Sequence, residues 1–157
     1  MRRNLLFATL LVVGFGLATS SPASAQTLFG AEAVFGSDTD AGLGVRIDLP
    51  LGTTAPLSFQ GGFNFFFPDV GDYWEVNGNI WYEIPTSGGG NVAPYVGRGL
   101  NIGRASVSGF SDTEAGLNLG GGAKFIFANT IPFVEARFVI GGAEQFVFGG
   151  GVLFGGF

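Results

Sequence analysis

From residue 41 to residue 49 every second side chain is apolar. Ala41, Leu43, Val45, Ile47 and Leu49 alternate with Gly42, Gly44, Arg46 and Asp48. A period of two places each set on one face of an extended ribbon, which predicts a strand with an apolar and a polar face. The pattern recurs along the chain. Residues 28–36 set Phe29, Ala31, Ala33 and Phe35 against Glu32, and residues 57–67 set Leu57, Phe59, Phe63 and Phe65 against Ser58, Gln60 and Asn64. Residues 73–84 alternate Trp74, Val76, Ile80 and Tyr82 with Glu75, Asn77, Asn79 and Glu83. Residues 114–127 place Leu117, Leu119 and Phe125 opposite Asn118 and Lys124, while residues 132–141 carry Glu135 and Arg137 on one face. Two segments are irregular. In residues 95–104, Val96, Leu100 and Ile102 share a face with Arg98 and Arg104, so either a bulge intervenes or the interior is mixed. In residues 146–157, FVFGGGVLFGGF, the alternation is poor and the register is open. Gly-, Pro-, Ser- and Asp-rich stretches separate these eight segments and read as turns.

The final segment has no charge and no hydrogen-bonding side chain. An uncovered apolar strand in water invites edge-to-edge association. It is too short for a spanning helix, but it matches the roughly 9–11 residues of a tilted membrane strand. Strands enter lipid only when the sheet closes, because each backbone N–H and C=O needs a partner. Eight alternating strands of roughly ten residues therefore predict an all-β fold: an antiparallel, up-and-down, eight-stranded transmembrane β-barrel. A soluble lipocalin-like barrel that binds a small ligand is the alternative, with the apolar face turned inward. Charged residues make up only 12% of the chain, fewer than a water-facing exterior normally carries.

The N-terminus follows different rules. Arg2 and Arg3 precede an apolar run, and Ala23-Ser24-Ala25 supplies a small-residue cleavage pattern, so residues 1–25 read as a cleaved export signal and 26–157 as the barrel domain. No Cys is present, so no disulfide staples the exported domain. The expected mature part holds five bases and twelve acids, a net charge of −7, which argues against nucleic acid as a partner. There is also no His, and no Ser has a convincing activating base, so no catalytic site is expected. No cofactor is implied, and no spacing matches a metal site.

The charges organise around the hairpins. Centring the first turn on Thr39 places Glu32 opposite Arg46; centring later turns on Gly109 and between Asn129 and Thr130 places Arg104 opposite Glu114 and Lys124 opposite Glu135. Directly opposed residues are close enough to pair, so three interior ion pairs are expected. Asp48, Glu75, Glu83, Arg98 and Arg137 are the other expected lumen charges. Asp38, Asp40, Asp69, Asp72, Asp112 and Glu144 fall in alternate loops and predict an acidic extracellular rim.

The leader ending Ala23-Ser24-Ala25, the strand opening APYVGRGLNIG at 93–103, PFVEARF at 132–138 and the terminal Phe157 give the chain its likeness. It resembles the small eight-stranded outer-membrane β-barrel family that includes OmpX-like, OmpA-barrel-like and opacity-type porin-family proteins. The resemblance implies a monomeric integral outer-membrane protein with a structural or surface role, and weak passage of ions or small solutes at most. It implies outer-membrane lipid and the barrel-assembly machinery as partners, with Phe157 as the assembly signal. The exposed loops are short, which departs from an adhesin or invasion role.

Overall fold

A computed structural model describes residues 26–52, 56–86, 90–127, 130–142 and 144–155. The expected export signal and the expected assembly signal at Phe157 lie outside these residues. Eight strands follow in chain order: β1 (Leu28–Gly36), β2 (Asp40–Pro50), β3 (Leu57–Phe66), β4 (Asp72–Glu83), β5 (Val92–Val107), β6 (Phe110–Phe125), β7 (Ile131–Ile140) and β8 (Gln145–Gly155). Each pairs antiparallel with its neighbours, and β8 pairs with β1, closing an up-and-down barrel. Among the described residues no helix is long and apolar enough to cross a membrane, a fact that does not bear on spanning by strands.

Closure is staggered. Pairings followed from Leu28 through Asp48, Gln60, Asn79, Gly99, Asn118 and Val139 arrive at Gln145 in β8. Leu28 itself pairs with Gly155, so one circuit climbs ten residues, from 145 to 155. A stagger of this size tilts the strands by about 40° in an eight-stranded barrel and leaves a bore that side chains can fill.

The faces divide as the alternation predicts, with the polar side in. Asn64, Glu75, Asn77, Asn79, Asn101 and Asn118 are buried, whereas Leu43, Phe63, Leu100, Leu117 and Phe138 are exposed on the outer wall. This is the inverse of a soluble ligand-binding barrel, whose apolar side chains point inward. The terminal segment is the closing strand, with Phe146, Phe148 and Phe154 outward and Val147 and Leu153 inward.

One hairpin outgrows the rest. β5 and β6 are each 16 residues long and pair from Val92–Phe125 to Val107–Phe110 across Ser108 and Gly109. Residues 105–113, expected as a loop, are thus largely strand. Both turn residues have positive φ, 51° and 89°, the conformation of a two-residue turn whose twist suits a hairpin.

Candidate functional site

The barrel's chemistry lies in its bore, which is layered along the axis. The short β1–β2 and β7–β8 connections lie at one end, and a cluster of Val34, Phe66, Tyr73, Val139 and Val147 fills the bore beneath them. Phe66 and Tyr73 meet edge to face with ring centroids 5.5 Å apart.

The middle layer is amide and carboxylate. Glu75 accepts hydrogen bonds from Asn64 Nδ2 at 3.0 Å, Asn77 Nδ2 at 3.1 Å and Asn101 Nδ2 at 2.8 Å, and pairs with the Arg137 guanidinium. Asn118 donates to Asn77 Oδ1 and Asn79 Oδ1, both at 2.8 Å, and Asn79 donates to Gln60. Buried amides and charges are tolerated when such partners satisfy them. Inward glycines make room: a Cβ on Gly99 would lie 2.1 Å from Asn79 Oδ1 and 2.2 Å from the Gly78 carbonyl oxygen.

The third layer centres on Arg46. Its Nε lies 3.0 Å from Asp48 Oδ1, and its Nη1 lies 3.0 Å from Glu135 Oε2 and 3.7 Å from Glu32 Oε2. Tyr95 donates its hydroxyl to Glu135 Oε2 at 2.9 Å, and the Arg46 guanidinium sits 4.2 Å from the centroid of the Phe133 ring. Toward the other end, where β1 begins and β8 finishes, Lys124 Nζ bridges Asp48 Oδ2 at 3.2 Å and Glu83 Oε1 at 2.9 Å. Trp81 and Tyr95 pack edge to face beside it. A mouth of about 150 Å³ at this end is lined by Lys124, Glu83, Asp48 and Ser58.

The expected partners differ from those formed. Glu32 and Arg46 are not opposite, since Glu32 pairs with Gly44 and Arg46 with Gly30; they meet on the diagonal, and Arg46 has closer partners. Lys124 faces Phe133 and Glu135 faces Gly122, so that pair does not form. In both hairpins the register is two residues from the expected one, which keeps every side chain on its face but changes its neighbour. The Arg104–Glu114 pair fails differently. The Ser108-Gly109 turn pairs Arg104 with Thr113 and Gly103 with Glu114, a slip of one residue that sends the two charges to opposite faces.

Arg98 and Arg104 are therefore not lumen charges. β5 runs from Tyr95 to Gly103 without a bulge, with Tyr95, Asn101 and Gly103 buried, so the arginines share the outer wall with Val96, Leu100 and Ile102. Arg104 is held near the rim by Ser111 Oγ at 2.7 Å and Thr113 Oγ1 at 3.5 Å. Asp48, Glu75, Glu83 and Arg137 are in the bore as expected. The filled interior thus carries Arg46, Lys124 and Arg137 against Glu32, Asp48, Glu75, Glu83 and Glu135, a net of −2. Glu114 is exposed beyond the filled bore.

The six rim acids gather at the end bearing the β5–β6 turn, and all are exposed. Among the described residues no group of three or more acids is arranged to hold a metal ion. The asparagine layer is the part of the site that residue typing does not single out. Its signal is present in the alternating Asn64, Asn77, Asn79, Asn101 and Asn118, whose inward parity matches that of the charges.

A family model described as outer membrane protein beta-barrel domain matches residues 8–138. No curated protein matches the chain. Among solved structures, the N-terminal β-barrel domain of Pseudomonas aeruginosa OprF is similar, with a TM-score of 0.67 at 20% identity, covering 85% of this chain and all of that one. Neisserial surface protein A gives a TM-score of 0.63 at 17% identity, covering 85% of this chain and 99% of that one. A major outer membrane protein of Thermus thermophilus gives 0.63 at 15% identity, covering 85% of this chain and all of that one. At these identities the likeness carries the fold alone.

Proposed function

The chain belongs to the outer membrane protein beta-barrel family, and from that premise we propose that it serves as a monomeric structural barrel of the outer membrane with a sealed bore. One observation carries the reading: the Glu75–Arg137 pair and its asparagine partners span the interior between β3, β4, β5, β6 and β7. Ions entering that layer would have to displace hydrogen-bonded side chains, and an eight-stranded barrel has no spare width beside them. The role is non-catalytic. The interior acids are engaged by arginine, lysine, tyrosine or asparagine, and the chain has no His or Cys to act as base or nucleophile.

In this reading the export signal is removed, the assembly machinery inserts the barrel with Phe157 as its signal, and the β5–β6 turn and acidic rim face outward from the cell. Lipid surrounds the Phe- and Leu-rich wall. Planar-bilayer recording tests the seal. The purified barrel is expected to give no discrete current steps, and reproducible unitary steps would overturn the sealed-bore reading while leaving the fold intact.

A further inference from the structure

Arg98 is a cation on the wrong side of the barrel wall for a sealed, lipid-embedded protein. It lies on the outer face of β5 between Ile80 of β4 and Leu119 of β6, and among the described residues its side chain makes no hydrogen bond or ion pair. At a rise of about 3.3 Å per residue and a tilt of about 40°, it stands about 15 Å along the axis from Val92. It stands one outward rung from Val96 and its partner Tyr82, an exposed aromatic of the kind that flanks the apolar belt, so its stem can carry the guanidinium to the headgroup level. An ionised side chain at the margin of a lipid-facing surface favours an anionic partner.

The surroundings narrow the partner's chemistry. Arg98 opens into a groove of about 660 Å³ on the outer wall, floored by Leu57, Ile80, Tyr82, Val96, Leu119 and Phe138. The floor crosses from β7 to β3 and reaches the barrel's edge at Leu57, the first residue of β3. The complement is an amphiphile with one anionic group for the guanidinium and a long apolar part for the floor. A second copy of this chain offers no such charge. Within the described strands the inward set includes Glu32, Asp48, Glu75, Glu83 and Glu135, and the outward Asp72 stands at the tip of β4, far along the axis. Two copies apposed on this face would bring arginine against arginine.

We propose that the groove is a site for an anionic phospholipid, its phosphodiester paired with the Arg98 guanidinium and an acyl chain lying along Ile80, Val96 and Leu119. The guanidinium fork matches two phosphate oxygens at once. The site rests on the membrane-embedded reading above and adds a lipid preference to it.

The test uses the mature chain inserted into phosphatidylcholine vesicles, with spin-labelled phosphatidylglycerol or spin-labelled phosphatidylcholine as the probe. Protease protection of the barrel reports insertion separately. Wild-type protein should hold phosphatidylglycerol several-fold more strongly than phosphatidylcholine, because both carry the phosphodiester but the choline ammonium of the latter offsets its charge and repels the Arg98 guanidinium. Arg98→Leu should abolish the preference, Arg98→Lys should retain part of it, and Arg104→Gln should leave it unchanged. Arg98→Leu removes a charge from lipid, so its insertion should be no worse than wild type. Equal retention of both lipids by the inserted wild type, or a preference that survives Arg98→Leu, overturns the site. So does finding another membrane protein on this face that Arg98→Leu releases while lipid retention stays unselective. Failure to become protected in any vesicle would instead overturn the embedded reading itself.

Discussion

Glu75 shows how one side chain can hold a whole layer. Its two carboxylate oxygens receive three asparagine amides and the Arg137 guanidinium, all of them buried. Glu75→Ala would leave Arg137 as an uncompensated buried cation and three amide groups short of an acceptor. Losing one partner of a buried pair costs about 3–5 kcal/mol, so the urea midpoint of the folded band on a gel should fall markedly. Replacing Glu75 and Arg137 together by Gln and Met should restore most of that loss, because no lone charge remains. Gly99 illustrates the opposite constraint. Its neighbours include backbone atoms of β4 that cannot swing aside, so Gly99→Ala should cost about 1–3 kcal/mol by the same gel assay.

At the scale of the element, the Ser108-Gly109 turn sets the register of the two longest strands. Gly109 has φ of 89°, where a side chain is strained, so Gly109→Val should weaken the hairpin by about 1–2 kcal/mol. Pairing of β6 with β7 begins at Leu117–Ile140, so residues 110–116 extend beyond the ladder with β7. The loss should therefore appear as faster proteolysis near residues 107–110, with the barrel's own urea midpoint unchanged; a fall in that midpoint would mean that the turn also anchors the wall. Turn geometry is also where sequence reasoning meets its limit. Alternation fixes which face a residue takes, and it locates all eight strands and nearly every inward polar residue, since parity survives any error in the ends. It does not fix the partner. The β1–β2 and β5–β6 hairpins illustrate this: Glu32–Arg46 is misaligned by two residues and Arg104–Glu114 by one, because each depends on where the turn is centred. Arg98 raises a different problem. Charge alone suggests an interior place, while the unbroken period of β5 requires an exterior one, and the backbone period prevails.

Across the whole molecule the layers on which the proposed seal rests stand in series. An apolar cluster with Phe66 and Tyr73 lies toward the rim, the Glu75 amide layer fills the middle, and the Arg46 and Lys124 networks occupy the far end. Barriers in series fail only when all are breached, whereas each contributes separately to stability. Opening one layer should therefore lower stability without admitting current. Phe66→Ala creates a void in the rim cluster and should cost about 3–5 kcal/mol, yet current recordings should stay flat. Asp48→Ala should likewise weaken the barrel by leaving Arg46 and Lys124 with one acid fewer each, again without conductance. Combining Phe66→Ala, the Glu75–Arg137 replacement by Ser at both positions, and Asp48→Ala should produce unitary steps, provided heat-modifiable mobility shows the barrel is still folded. If Phe66→Ala alone conducts, the middle and far layers are not barriers, and the bore is held shut at its rim instead.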